Sequence, residues 1–375
     1  MKVAILGASG SIGRATLDVI KAFSSKLELV GASVHTNVEA IQSIAREFPT
    51  LSHVCLTGVL DENRAIIPNV KVYFGKESLV QMVLDSKADI VVFAIPGGAV
   101  VDVFLDLLSL DVKIAMANKE VLVMAHDLIR PGIERGIRPI DSEQSALWQI
   151  LPQELEGVER VILTCSGGPF WRRKRNELRN VRPEEAIRHP KWSMGPKVSL
   201  DSATLMNKAL EIIETSALFG IDEAHISVLI HPQALTHAMV KFKDGSILSQ
   251  IGPTDMRLPI QYAISYPERW SSYLSGWNFS NTTMEFFLPD EETFTSLQIA
   301  RMALRKGGST LVVFNTSNDL LGEKFFAGEI GFLDIMDVSR QLVELHSPWE
   351  ISSREDIERA IHWTMEALDG FLQTS

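Results

Sequence analysis

Short continuous runs of hydrophobic residues mark the first third of the chain, and more polar segments separate them. These runs are typical of buried strands and cover residues 3–6, 27–34, 53–56, 89–95 and 113–117. Helices are predicted between them, among others at residues 14–23 and 38–47. Strands that alternate with helices predict an α/β fold with a doubly wound parallel sheet, whose ligands bind beyond the carboxyl ends of the strands.

The pattern changes near residue 140. A helix is predicted at 141–148, a strand at 161–165, and strand-like runs between 227 and 248 around the hairpin signal at 244–246. From about residue 292 the chain is amphipathic and helical, at 297–306, 321–328, 333–345 and 353–368. We expect a nucleotide-binding domain over residues 1–140, a central α+β domain over 141–285, and a linker with a C-terminal helical bundle over 286–375.

A glycine-rich turn joins the first strand to the first helix through Gly7, Gly10 and Gly13. Glycines let the backbone approach a pyrophosphate, and the helix N-terminus favours its charge. A tight turn without a ligand is the alternative. The second strand ends at residues 35–37 without the carboxylate that grips the ribose hydroxyl of NAD. That favours NADP, although no arginine lies there either.

Lys119 follows the strand at 113–117, between Asn118 and Glu120. A lysine after a strand is often a surface residue. Because the carboxyl end of a parallel strand is also where ligands bind, a functional role is an equal alternative.

The stretch over residues 201–211 combines an amide, an ammonium and a carboxylate. As one helix, with Asp201 or Ser202 as its N-cap, it places four side chains on one face: Thr204, Asn207, Lys208 and Glu211. For an isolated helix, a solvated polar face is the commoner explanation.

Two acids open the helix predicted at 141–148. Asp141 and Glu143 there are favourable to the helix dipole, and they also suit a hard cation such as Mg²⁺ or Mn²⁺. Two ligands do not make a site, and Glu211 is a plausible third.

Three loops add further candidates. Residues 166–169 read Ser-Gly-Gly-Pro, whose amides and hydroxyl could hold a phosphate. The basic run at 171–175 is predicted to be a solvated loop. Residues 188–196, with two prolines and a glycine around Trp192, suit a loop that folds over a ligand.

Composition restricts the function classes. The 375 residues carry a net charge of −11, which argues against a nucleic-acid partner, and two cysteines, Cys55 and Cys165, fit a reducing cytoplasm. The first apolar run is too short for a signal peptide. The longest, at 90–101, is broken by Pro96, Gly97 and Gly98, so we expect no membrane span.

Together these stretches resemble the 1-deoxy-D-xylulose 5-phosphate reductoisomerase family of the non-mevalonate isoprenoid pathway. The matching pieces follow in family order at residues 7–13, 117–120, 141–143, 166–170, 189–195, 201–211 and 231–233. The resemblance implies a Rossmann-type NADPH-binding domain, a central catalytic domain, a C-terminal helical bundle and a homodimer.

The resemblance also implies three sets of contacts. The divalent cation, Mg²⁺ or Mn²⁺, would be held by Asp141, Glu143 and Glu211. The phosphorylated ketose would be contacted by the metal ligands Glu143 and Glu211 and by Lys119, Ser142, Ser166, His189, Ser202, Asn207 and Lys208. NADPH would be contacted by Ser9, Gly10, Ser11, Ile12, Asn37, Asn118, Glu120 and Gly195.

The implied reaction has two steps. Metal-bound 1-deoxy-D-xylulose 5-phosphate rearranges to 2-C-methyl-D-erythrose 4-phosphate by retro-aldol cleavage and re-addition. NADPH then reduces that aldehyde to 2-C-methyl-D-erythritol 4-phosphate. The catalytic candidates are Asp141 as a ligand, Glu143 as the leading base, and Lys119 as the competing base, better suited to stabilising an alkoxide.

The chain departs from the family at three places, one of which is Trp171 with the unusual basic run after Phe170. Thr36 stands where many members have a basic residue, and residues 315–319 read Asn-Thr-Ser-Asn-Asp where Asn-Ala-Ala-Asn-Glu is common. Two rival functions remain. Another NADP enzyme, such as a semialdehyde or homoserine dehydrogenase, would have no use for three carboxylates, and a nucleotide-sensing regulator would not need Lys208.

Overall fold

The computed structural model describes residues 1–58, 67–188, 195–274 and 280–374. Contacts between Cα atoms divide the chain into two compact units. The first unit comprises Met1–Val121, Ile133–Ser145 and Asp255–Gly276. The second comprises Leu122–Gly132, Ala146–Thr254 and Trp277–Ser375. The three-part division of the chain at residues 140 and 285 stays a prediction.

The first unit contains a seven-stranded sheet. Its strands are β1 Lys2–Leu6, β2 Glu28–Val34, β3 His53–Leu56, β4 Lys71–Phe74, β5 Ile90–Phe93, β6 Lys113–Met116 and β7 Ile137–Pro139. They lie in the order β4-β3-β2-β1-β5-β6-β7, and every pair of neighbours is parallel. The chain order reverses between β1 and β5, which is where a doubly wound sheet binds its ligand. The predicted fold class is confirmed.

The second unit contains a four-stranded mixed sheet. Its strands are β8 Val158–Cys165, β9 Ile226–Ile230, β10 Thr236–Phe242 and β11 Ile247–Ile251, in the order β11-β10-β8-β9. Only β8 and β9 pair in parallel. The hairpin predicted at residues 244–246 joins β10 to β11, with Gly245 at φ +90°.

The α-helices are, in chain order, α1 Ser11–Ala22, α2 Val38–Glu47, α3 Leu79–Ser86, α4 Val101–Leu108, α5 Lys119–Met124, α6 His126–Ile129, α7 Ser142–Ile150, α8 Pro183–Ala186, α9 Pro196–Ala203, α10 Met206–Phe219, α11 Arg257–Ser265, α12 Ser296–Lys306, α13 Ser309–Phe326, α14 Phe332–Leu345 and α15 Arg354–Thr374. Within the described ranges, no helix combines the length and the hydropathy needed to cross a membrane.

Each unit has its own apolar core. In the first, sheet residues such as Val3 and Val92 pack with Ile260 and Ile264 of α11. In the second, Val313 and Phe325 of α13 pack with Phe332 and Met336 of α14. The predicted C-terminal helices are therefore present, although α13 begins at Ser309, well before the segment expected at 321–328.

The single helix predicted over residues 201–211 is wrong. Helix α9 ends at Ala203, Leu205 adopts a left-handed conformation with φ 59°, and α10 begins at Met206. Thr204 explains the break, because its hydroxyl donates to the Leu200 carbonyl at 3.1 Å and accepts from the Met206 N–H at 3.3 Å. The N-cap predicted at position 201 or 202 is wrong as well, since both residues lie inside α9.

Candidate active site

The glycine turn after β1 is shaped to lie close to a ligand. Gly7 has φ +92° and donates its N–H to the Ser33 hydroxyl at 3.0 Å. A Cβ on Gly13 would lie 2.3 Å from the Gly7 carbonyl oxygen, so only glycine lets α1 start this close to the turn. Gly10 precedes α1 without a side-chain cap, which leaves the first amides of that helix for an anion.

Seven of the eight residues predicted to contact NADPH follow the carboxyl ends of strands β1, β2 and β6 in the first unit. Ser9 and Gly10 lie between β1 and α1, Ser11 and Ile12 open α1, and all four are exposed or half-buried. Glu120 lies in the first turn of α5, directly after β6.

Two of the residues predicted to contact NADPH also make structural hydrogen bonds. Asn37 caps α2 by accepting from the Ala40 N–H at 2.9 Å. The buried Asn118 amide donates to the carbonyls of Ile95 and Gly97 at 2.7 and 2.9 Å and accepts from the Val121 N–H. Asn118 therefore joins the loops that follow β5 and β6. The sequence analysis did not predict this structural role, because the carbonyls that Asn118 contacts are more than twenty residues away along the chain.

An ammonium and a carboxylate meet after β6 and β7. Lys119 Nζ lies 2.5 Å from Asp141 Oδ2, and both side chains are nearly buried. Since β6 and β7 are parallel neighbours, the residues after them reach the same edge of the sheet. Asp141 Oδ1 also accepts from the Glu143 N–H at 3.2 Å, and Ser142 donates to Glu143 Oε2 at 2.5 Å. The first unit thus gathers Lys119 with residues 141–143.

A second ion pair lies on one face of α10. Asn207 donates to Glu211 Oε1 at 2.7 Å, and Lys208 donates to Glu211 Oε2. Lys208 and Glu211 are both buried, with 2% and 1% of their surface exposed. This part of the predicted helix face is therefore real, and it is not a solvated surface. A buried ion pair is costly to desolvate, which is why such pairs are often functional.

The loop after β8 packs against the end of α9. Gly168 has φ +68°, and a Cβ there would lie 2.4 Å from the Ser202 carbonyl oxygen. Its N–H points at the Ser166 hydroxyl at 3.5 Å. The second unit therefore packs the loop that carries Ser166 against the end of α9, which Thr204 and the left-handed Leu205 separate from the helix that carries Asn207 and Lys208.

The basic run after this loop is largely exposed, as predicted, but its side chains form ion pairs or stack on aromatic rings. Arg172 stacks over Trp171 at 4.4 Å and Arg173 over Phe170 at 4.9 Å. Lys174 pairs with Asp290 at 2.8 Å, and Arg175 pairs with Asp337 at 2.5 Å. These partners anchor the loop that begins at Ser166.

The motif at residues 231–233 forms a buried structural contact. His231 is fully buried, lies 2.8 Å from the Glu285 carbonyl through Nδ1, and stacks on Phe286. Burial lowers the pKa of its imidazole. Gln233 exchanges hydrogen bonds with Glu285. The motif thus fixes the strand-like segment beside β9.

Two predicted features lie outside the described residues: the substrate contact His189 and the loop around Trp192, both within residues 189–194. Gly195 is described, and it precedes α9 as an exposed residue whose carbonyl accepts from the Ser199 N–H at 3.0 Å.

Family models match most of the chain. The model described as 1-deoxy-D-xylulose 5-phosphate reductoisomerase matches residues 3–126, and two models of its C-terminal domain match residues 137–219 and 251–367. Among curated relatives, the 1-deoxy-D-xylulose 5-phosphate reductoisomerase of Desulfitobacterium hafniense is 37% identical over 372 residues, covering 96% of this chain and 97% of the relative. That of Heliobacterium modesticaldum is 41% identical over 364 residues, covering 93% and 91%.

Solved structures agree with these matches. The enzyme from Zymomonas mobilis in complex with NADPH has a TM-score of 0.92 at 33% identity, with 100% of this chain and 99% of that chain covered. A reductoisomerase in complex with NADPH, fosmidomycin and magnesium has a TM-score of 0.90 at 32% identity, covering 100% and 98%.

Proposed function

The chain belongs to the 1-deoxy-D-xylulose 5-phosphate reductoisomerase family, and we propose that the residues assembled above carry the family's two-step reaction. The enzyme rearranges 1-deoxy-D-xylulose 5-phosphate and reduces the product to 2-C-methyl-D-erythritol 4-phosphate, using NADPH and a divalent metal ion. It is an NADP-dependent oxidoreductase with an intramolecular isomerase step. The observation that carries the assignment of residues is the buried Lys208–Glu211 pair beside Asn207, which an ordinary helix surface would not contain.

The metal ligands in this proposal are Asp141, Glu143 and Glu211. Carboxylate oxygens suit the hard cations Mg²⁺ and Mn²⁺. Asp141 and Glu211 each already accept an ammonium, from Lys119 and Lys208, which supports both as positions that attract positive charge. A bound cation supplies Lewis-acid polarisation of the ketose carbonyl and its neighbouring hydroxyl.

The phosphate anchor in this proposal comprises Ser166, Ser202, Asn207 and Lys208. The packing of Gly168 on the Ser202 carbonyl supports a shared role for the two serines. Binding energy at the remote phosphate holds the reacting carbons in place, so it contributes to turnover as well as to affinity. His189 and Ser142 are assigned to the substrate alongside this anchor.

The proton chemistry is assigned to Glu143 and Lys119. Glu143 is the proposed base for the substrate hydroxyl, since a carboxylate at the edge of the proposed metal site can reach both that hydroxyl and the cation. Lys119, after β6, is proposed to stabilise the alkoxide as NADPH delivers its hydride. The NADPH contacts are assigned to Ser9, Gly10, Ser11, Ile12, Asn37, Asn118, Glu120 and Gly195.

The metal assignment is tested by titrating Mn²⁺ into chelator-treated enzyme. Asp141→Asn and Glu211→Gln should weaken Mn²⁺ binding by at least about tenfold, because each removes an anionic ligand, while the affinity for NADPH stays unchanged. Asp244→Asn, in the exposed β10–β11 hairpin, is the matched control. Unchanged Mn²⁺ affinity in either ligand variant would contradict the assignment.

We also propose that the enzyme is a homodimer joined through β11. This strand lies at the edge of its sheet, and Ile247 and Leu248 on it are each 52% exposed. An apolar edge strand is suited to pairing with a second copy. Light scattering should find a dimer that Leu248→Asp dissociates and that Leu288→Asp, at an exposed loop leucine, does not. A wild-type monomer at micromolar concentration would refute this.

A cytoplasmic location is proposed from the two cysteines. Cys55 and Cys165 are free thiols, as expected for a reducing compartment. Fractionation of the native host should recover the enzyme with cytosolic markers, and recovery with an oxidising compartment would contradict the proposal.

A further inference from the structure

A buried polar cluster joins α9 to α13. Lys197 Nζ lies 2.8 and 2.6 Å from the two oxygens of Asp201, and 3.2 Å from Asp319 Oδ1. Asn318 donates to Asp201 at 3.1 Å, and Asn315 donates to Asp319 at 3.2 Å. Asp201 and Asn318 are buried. We call these residues the α9–α13 polar cluster.

The cluster holds α9 in position, because this short helix is not stable on its own. Helix α9 has only eight residues, and helices of that length are marginal in isolation. Its Leu200 packs against α13, 3.5 Å from the position a Cβ on Gly322 would take. That apolar contact allows rotation of α9, whereas hydrogen bonds from Asn318 and the shared Lys197 define its direction and register.

The charges of the cluster do not favour a role in stabilising the folded protein. Two carboxylates share one ammonium, so the cluster carries a net negative charge in a largely buried position. Burial raises the pKa of the Asp319 carboxyl; the charge of Asp201 adds to that shift, and Lys197 opposes it. Apolar residues commonly stabilise such a position as well or better, which leaves orientation as the reason for the ionic arrangement.

The orientation of α9 controls a proposed substrate contact. Ser202 follows Asp201 directly, and its carbonyl is the atom against which Gly168 packs. Ser296 of α12 donates to the Thr204 carbonyl at 2.8 Å and holds the end of the same segment. A rotation of α9 would therefore move Ser202 relative to both Ser166 and Lys208.

We propose that Lys197, Asp201 and Asp319 are positioning residues for the substrate phosphate, which act by holding α9 so that Ser202 and Ser166 face the same phosphate. This rests on the proposed function, in which Ser202 contacts the phosphate. It gives the segment at 315–319 a role in substrate binding as well as in folding.

The test replaces Asp319 and compares a phosphorylated with an unphosphorylated substrate. Asp319→Asn should raise the KM for 1-deoxy-D-xylulose 5-phosphate about tenfold and leave kcat/KM for the free sugar 1-deoxy-D-xylulose within about twofold, since only the former uses the anchor. Asp319→Glu keeps the carboxylate and should restore most of the affinity. Glu358→Gln, at an exposed position on α15, should leave both substrates unchanged.

A double-mutant cycle with Ser202→Ala makes the result independent of general destabilisation. In the Ser202→Ala background, Asp319→Asn should have little further effect on the KM for the phosphorylated substrate, because the residue it positions has gone. If Asp319→Asn does not fold, Lys197→Met enters the same cycle. Equal losses on both substrates, or additive effects in the cycle, would overturn the positioning role. Wild-type enzyme inactive on the phosphorylated ketose would instead refute the proposed function.

Discussion

Replacing Gly168 by alanine tests the packing of the loop after β8 on α9. The added Cβ would lie 2.4 Å from the Ser202 carbonyl oxygen and 3.2 Å from Ala203 Cα. Ordinary contacts begin at 3.4 Å. The loop or α9 must therefore move by about 1 Å, because neither contact is with a flexible side chain.

The magnitude follows from two separable costs. The left-handed backbone, at φ +68°, costs alanine about 1 kcal/mol. The clash adds about 1–3 kcal/mol, as overpacking usually does. A 1 Å displacement between Ser166 and Ser202 should lower kcat/KM for the phosphorylated ketose by up to about 100-fold.

Gly245→Ala is the matched control. Gly245 has φ +90° with open space around its Cβ position, so alanine there meets only the backbone cost. Thermal unfolding and NADPH oxidation should show a larger loss of melting temperature for Gly168→Ala, together with the loss of kcat/KM, at unchanged NADPH affinity. Gly168→Ala that matches Gly245→Ala in both measurements would refute the packing argument.

Three further outcomes are expected. Burial lowers the pKa of the His346 imidazole to about 4, so the stability contributed by the neutral imidazole is present above about pH 6.5 and is lost as the pH falls towards 4. The free energy of unfolding should drop by up to about 3 kcal/mol over that window. Denaturation at each pH should show a flatter pH dependence of stability in His346→Gln. Lys208→Ala should raise KM and lower kcat, and a loss no larger for the phosphorylated ketose than for the free sugar would remove Lys208 from the phosphate. Glu143→Gln should impair overall turnover far more than the reduction of added 2-C-methyl-D-erythrose 4-phosphate, whereas Lys119→Met should impair both reactions. If Glu143→Gln lowers the two rates equally while the metal is still bound, Glu143 is not the isomerisation base.

Local signals in the sequence predict much of the nucleotide-binding sheet. The bounds of α2 and β3 coincide with the prediction, since Asn37 supplies an N-cap and residues 53–56 a continuous apolar run. Strand β4 has only four residues, an exposed lysine followed by three half-buried residues, and the sequence analysis did not predict it. The pairing of Lys119 with Asp141 follows from topology, because both residues end neighbouring parallel strands.

Long-range contacts explain what the sequence did not predict. Nothing local marks Leu205 as left-handed, since leucine favours helices. Its conformation depends on Thr204, on Ser296 from α12 and on the approach of Gly168 to α9. The α9–α13 polar cluster likewise joins residues more than a hundred positions apart.

The most direct test follows NADPH absorbance with purified enzyme and 1-deoxy-D-xylulose 5-phosphate, before and after removal of divalent metal. We expect oxidation of one NADPH for each ketose consumed, loss of the reaction with chelator, its return with Mg²⁺ or Mn²⁺, and 2-C-methyl-D-erythritol 4-phosphate as the product. Absence of turnover with metal and both substrates present, or full turnover in metal-free enzyme, would contradict it.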